Sequence, residues 1–194
     1  NVKRNVKSQV LSDLQEARKN GMFTGVLLTA SLFMPYYIAG VAIILVAFRV
    51  ILNYQKRAGV LAIPYSKLLL SIPFMMLLMA LAAKNKLGIL CAVLAFFILV
   101  AGLYFRSIMT RAMFNRIMDT ACICSLASLL VALIQKWMHY AQNPEFRPFS
   151  TFLNANYYAA TTTFVVLIAI YRIYSQKQNR PFYLAVIGAN LLGL

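Results

Sequence analysis

The chain has 194 residues, 62% of them hydrophobic and 12% charged, with nineteen Lys and Arg against four Asp and Glu for a net charge of +15. Soluble domains run at about 45–50% apolar and about 25% charged, so a water-soluble globular body is excluded and an integral membrane protein is indicated. The cations stand in short clusters between apolar runs, not in a stripe with interleaved aromatics, so they point to helix orientation and anionic lipid headgroups and away from nucleic acid.

Residues 1–21, "NVKRNVKSQVLSDLQEARKNG", read as a basic tail beside the membrane. Ser12 and Gln15 have the spacing of a capping box, and Val10, Leu11, Leu14 and Ala17 could line one face of a short surface helix. No cleavable signal is visible. The chain begins with Asn1 and stops at Leu194 inside the apolar run that starts at Pro181, so a piece of a longer protein is expected, with residues 22–194 forming a transmembrane helical domain cut short at its C-terminus.

Uncharged runs follow at Met22–Phe48, Leu68–Ala83, Leu87–Phe105 and Tyr157–Tyr171. A spanning helix needs roughly 17–25 such residues. Met22–Leu52 would make a helix of about 46 Å, too long for a hydrocarbon core of about 30 Å. It is either one strongly tilted helix or two short ones turning at "MPYYIAG", where Pro35 breaks the bonding pattern and Tyr36 and Tyr37 suit the interface.

Charge counting favours the hairpin. With further spans near 68–83, 87–105, 117–138, 157–174 and from 181 on, fifteen of the nineteen cations fall on the side of the N-terminus. Lys84, Lys86, Lys136 and Arg147 fall on the other. The expectation is therefore an all-α, polytopic transmembrane bundle of about seven spans with a hairpin-like first pair. Its N-terminus is cytoplasmic and its 139–156 loop external.

Cys91, Cys122 and Cys124 lie in apolar runs and read as small buried hydrophobes, Cys122 and Cys124 on different helix faces. With one histidine, His139, and no CxxC, no metal site and no cofactor are expected. Asp119 is three residues from Arg116, the spacing of a surface ion pair. His139 after Trp137 reads as an interfacial residue, and Gly188-Ala189-Asn190 as a packing site.

Arg147 runs against the charge bias of the chain, so orientation does not explain it. One reading has it snorkel to headgroups or pair with Glu145, with Asn154 and Asn156 capping the helix that follows. The other takes the group together. Pro148 holds Arg147 extended, the guanidinium offers forked hydrogen bonds to phosphate oxygens, the helix N-terminus adds N–H donors, and Ser150, Thr151, Asn154 and Asn156 add neutral polar groups. Together they describe an anion site on the outer face.

The stretch "RPFSTFLNANYYAA" resembles the R-x-x-G-T-F-x-N-P-N-x-x-A signature of the O-antigen ligase and Wzy-type polysaccharide polymerase superfamily. The matches are Arg147, Thr151, Phe152, Asn154, Asn156 and Ala159; Ser150 stands for the glycine and Ala155 for the proline. The resemblance covers about thirteen residues in motif and the chain in layout. It implies a metal-independent membrane glycosyltransferase of the bacterial inner membrane, whose donor is a glycan on undecaprenyl diphosphate and whose acceptor is a glycan or lipid. Arg147 would be the catalytic residue, steadying the leaving diphosphate. The family's further Arg and His residues, in a later external loop, have no counterpart here, so this stretch would hold half a site and be inactive alone. The competing reading is a secondary transporter or a flippase for lipid-linked glycan, for which Asp119 is the sole intramembrane carboxylate.

Overall fold

The computed structural model describes residues 18–175 and 179–193, which are helical with no strand among them. Most of the basic tail, with its capping-box spacing and apolar stripe, lies outside these residues. The first helix, α1, covers residues 18–31. It ends where Pro35 can neither donate a hydrogen bond nor leave Met34 helical. Tight bonds from Phe33 N to Ala30 O and from Met34 N to Ser31 O close its last turn, and the Pro35 carbonyl then accepts from Ile38 N to start α2, Tyr36–Leu52.

α2 is followed at once by α3, Tyr54–Leu61, bent from it by 97°. Asn53 makes the corner: its Oδ1 accepts from Lys56 N at 3.1 Å and caps α3. Then come α4 (Ser66–Ala82), α5 (Lys86–Ile108), α6 (Arg111–His139), α7 (Ala155–Ser175) and α8 (Arg180–Leu192).

Three of these helices, α5, α6 and α7, are long and apolar enough to cross a membrane, and a fourth crossing arises if the bent pair α2–α3 counts as one span. About seven spans, with a first hairpin of two crossings, is therefore corrected to three or four among the described residues. Charge-free runs overcount because they ignore helix length. The 17 residues each of α2 and α4 rise only about 25 Å, short of a core of about 30 Å. Pro35 cuts the 22–52 run into pieces, and α8 has 13 residues. Together the long apolar helices give the profile of a membrane protein.

The chain divides into two compact units. The first holds residues up to 25 and 40–110. Its core is Ala47, Val50, Val60, Val100, Ala101, Leu103 and Tyr104, with Lys56 Nζ 5.5 Å from the centre of the Tyr104 ring. Within it α4 and α5 meet through a tight turn. Asn85 N bonds Ala80 O and Lys84 N bonds Leu81 O, a Schellman closure with Lys84 in the left-handed region at φ 51°. Asn85 then caps α5 through Gly88 N. Gly88 lets the helices close there, since a Cβ on it would stand 3.0 Å from Ala80 Cβ.

The second unit holds residues 26–39 and 111 onward. Ala121, Cys122, Ala132, Val165, Ile168, Ala169, Tyr183 and Val186 form its core, with Phe33, Phe152 and Tyr158 joining from the loops and helix starts. Cys122 is buried and Cys124 only partly so, as different helix faces require, while Cys91 is exposed; all three are free thiols. Arg172 near the end of α7 bonds the start of α6, so these two helices run antiparallel. Tyr183 and Asn190 of α8 bond Asp119 and Ser125 in the same order, so α8 runs parallel to α6.

Candidate functional site

One stripe of α6 organises the second unit. Asn115, Asp119, Cys122, Ser125, Ser128, Ala132, Gln135 and His139 follow one another in steps of three or four residues, a line that winds slowly along the helix. Its polar members bond the 149–150 backbone, α7 and α8.

At the end of the stripe nearest the loop, α6 grips the 140–154 segment. Gln135 Oε1 accepts from Ser150 N (2.8 Å) and Phe149 N (3.2 Å), and its Nε2 donates to Ser150 O (2.9 Å). Ser150 Oγ donates to the Ser128 carbonyl at 2.6 Å, which makes Ser128 Oγ the donor in the 2.8 Å bond between the two hydroxyls. Lys136 Nζ donates to the carbonyls of Pro144 (2.5 Å) and Phe146 (2.9 Å). His139 stacks on Phe146 at 4.3 Å and gives its Nδ1 proton to Gln135 O. The histidine is exposed, as an interfacial residue would be, and it also anchors the loop.

These bonds dispose of the five predicted site residues in three ways. Ser150 is buried and Thr151 half-buried, and both hydroxyls turn inward, Thr151 Oγ1 donating to Phe33 O. They hold the loop; their donors do not face outward. Asn154 caps α7, its Oδ1 accepting from Asn156 N at 2.8 Å and its carbonyl from Tyr158 N. Arg147 and Asn156 remain, and they meet at one cleft.

Two clefts flank Arg147 and Pro148. One, of about 270 Å³, runs between Leu129, Leu133, Lys136, Glu145, Phe146 and Leu192. The other, of about 250 Å³, is lined by Ala155, Asn156, Tyr158, Ala159 and Gly193 at the start of α7. The Arg147 side chain is exposed and has no hydrogen-bond or ion-pair partner among the described residues; the alternative pairing with Glu145 is not formed. A guanidinium with open donors thus stands beside the N–H end of a 21-residue helix, where the backbone favours a negative charge.

The loop backbone is strained at two points. Ser150 sits at φ 51°, a conformation that glycine adopts freely and other residues adopt at a cost. Leu153 shares that region at φ 60°.

At the opposite end of the stripe lies a group that the local spacing missed. Asp119 does not pair with Arg116, which is exposed; it pairs with Arg172 of α7. Arg172 Nε donates to Asp119 Oδ1 and Nη2 to Oδ2, each at 3.1 Å, and Nη1 donates to Asn115 Oδ1 at 2.6 Å. Tyr183 OH accepts from Arg172 Nε and donates to Asp119 Oδ1 at 2.7 Å. The guanidinium is fully buried and Asp119 keeps a third of its side chain exposed. Arg172 therefore belongs to the interior of the bundle and not to a connecting loop. Between the two ends, Asn190 Nδ2 donates to Ser125 Oγ and Val186 O, so the packing site expected around Asn190 is a buried polar contact.

The second unit thus packs α6, α7 and α8 around a buried polar seam, with an arginine-bearing loop at one end. Comparison of the chain with protein-family models, with curated proteins and with solved structures gives no match.

Proposed function

We propose that this protein is a membrane glycosyltransferase of bacterial surface-polysaccharide assembly, transferring or polymerising glycan from an undecaprenyl-diphosphate donor at the outer leaflet of the inner membrane. The observation that carries the reading is Arg147, whose donors are unengaged among the described residues while the loop around it is clamped by Gln135, Lys136 and Ser128. A surface anchor for headgroups needs no such framework. A group that must meet a developing charge in one position does.

In the proposed reaction an acceptor hydroxyl attacks the anomeric carbon, the bond from that carbon to the diphosphate oxygen breaks, and the hydroxyl proton passes to water or to the departing diphosphate. Arg147 and the first N–H groups of α7 meet the charge that grows on the departing phosphate oxygens. Preorganised donors of this kind are worth about 2.7–4 kcal/mol of barrier each. Asn156 borders the same cleft and is assigned to the substrate, while Ser150, Thr151 and Asn154 shape the loop. The left-handed Ser150 at the glycine position of the motif supports the resemblance on which the substrate class rests.

On a spanning reading of α6 and α7, Arg111, Arg116 and Arg180 flank one end of the pair and Lys136 and Arg147 the other. The positive-inside rule then assigns the loop to the outside, and a fourth crossing by the bent pair α2–α3 would put the N-terminus in the cytoplasm.

The second reading, a transporter or flippase, draws on the Arg172–Asp119 pair, because ionisable groups inside a membrane bundle often mark a pathway. The two readings part in a reconstituted assay. Protein in proteoliposomes is given undecaprenyl-diphosphate glycan and an acceptor in the presence of a chelator. Release of free undecaprenyl diphosphate with growth of the acceptor supports the transferase. Intact lipid-linked glycan moving between leaflets, with no release, supports transport and defeats the first reading.

A further inference from the structure

The first unit carries a groove of about 560 Å³ between α4 and α5, closed at one end by Leu61, the last residue of α3. Volumes of about 300–1,000 Å³ are those of ligand sites. Leu70, Phe74 and Leu77 of α4 face Ala92, Val93 and Phe96 of α5 across it. Two features of the sequence open it. Gly88 and Ala80 draw the helices together beside the 83–85 turn, and further along Pro73 interrupts α4 while Ala92 opposite supplies almost no bulk.

The walls hold two polar side chains. Ser71 spends its hydroxyl on Leu68 O, which leaves Lys67, exposed on the same face of α4. Arg57 lies four residues before Leu61 on α3, about 6 Å along the helix axis, with Lys56 beside it. No Asp or Glu occurs anywhere between residues 17 and 118. The described part of this unit therefore offers Lys67 no carboxylate, and its charge is open to an anionic partner. An apolar slot that ends at an unmatched ammonium, on helices that form part of a membrane protein, is complementary to an acyl chain joined to a phosphate.

We infer that the α4–α5 groove binds one acyl chain of an anionic glycerophospholipid, with Lys67 on the headgroup phosphate and Arg57 and Lys56 raising the local positive potential. This site is independent of the transferase reading, since it uses neither Arg147 nor its loop.

The test is native mass spectrometry of protein released from nanodiscs of equal phosphatidylglycerol and phosphatidylcholine. Wild-type protein should carry one retained phosphatidylglycerol, favoured over phosphatidylcholine by about fivefold or more, the effect of one lysine at an anionic surface. Lys67→Gln should bring the two lipids to parity, whereas Lys84→Gln, at the far turn, should leave the preference intact. Val93→Trp, which fills the groove from a partly exposed position, should remove retention of both lipids. Circular dichroism and the melting temperature of each variant establish that it is folded, and Lys67→Gln alone decides the headgroup assignment if Val93→Trp fails that check. Equal retention of the two lipids by wild type, an unchanged preference in Lys67→Gln, or retention that survives in a folded Val93→Trp protein would overturn the inference.

Discussion

Removing Asp119 alone should damage the second unit more than removing Arg172 alone, and removing both should damage it least. Arg172 is fully buried, and without Asp119 its guanidinium keeps only Asn115 Oδ1 and Tyr183 OH as acceptors. Asp119→Leu therefore strands a charge where water cannot follow, at a cost of about 4–5 kcal/mol, near the top of the range for broken buried pairs. Arg172→Met strands a carboxylate that is one-third exposed and still accepts from Tyr183 OH. The expected cost is about 2–3 kcal/mol, because partial solvation and a hydrogen bond to a charged group each offset the loss. The pair Asp119→Leu/Arg172→Met leaves no charge to bury and should lie within about 1 kcal/mol of wild type. Unfolding in mixed micelles titrated with sodium dodecyl sulfate, followed by the fluorescence of Trp137, gives all three values and closes a double-mutant cycle. Single variants that each lose under about 1 kcal/mol and add in the double variant would refute the buried clasp and return Asp119 to the solvated surface.

Three further outcomes follow from the local geometry. Lys84→Gly should raise stability by about 0.5–1 kcal/mol, since Lys84 holds the left-handed position that ends α4 and its side chain is exposed; a lower melting temperature would contradict this. Gln135→Ala should leave the Ser150 and Phe149 amides without their acceptor and cost about 1–3 kcal/mol, seen as faster hydrogen exchange confined to 145–153; unchanged exchange would show that Gln135 does not hold the loop. In a background with Cys91, Cys122 and Cys124 replaced by alanine, Asn143→Cys should react with an impermeant maleimide in intact cells and Arg180→Cys only after permeabilisation; the reverse pattern would invert the proposed orientation.

The long helices were legible in the sequence because their signal is local: an apolar stretch marks each of α5, α6 and α7, the helices long enough for a span. α2, α4 and α8 were counted as spans although each is too short for one; the break at Pro35 was legible, but an uncharged run carries no record of where the helices beside it start and stop. α3 was missed altogether, as "YQKRAGVL" has the composition of a loop and its corner depends on one side-chain bond from Asn53. At the candidate site, Arg147 announced itself by standing against the charge bias. Its framework did not, because Gln135 and Ser150 are fifteen residues apart. For Asp119 the nearest cation in sequence proved the wrong partner. Arg116 can reach water, whereas Arg172, 53 residues away, faces the interior and has to be matched there. The stepped polar residues of α6, from Asn115 to His139, were the available clue, since polar side chains at helical spacing in an apolar helix mark one shared face.

In the proposed function Arg147 recognises a diphosphate through its fork and does not merely anchor the loop in headgroups. The most direct measurement is surface-glycan output of cells carrying Arg147→Lys at matched membrane level, together with the pool of undecaprenyl-linked glycan. Lysine keeps the charge and snorkels as well as arginine, but it cannot form the paired bonds. Output should fall about a hundredfold or more, Arg147→Ala should be at least as severe, and lipid-linked glycan should accumulate behind the block. Undiminished output with Arg147→Ala would contradict the account and leave Arg147 as a surface anchor.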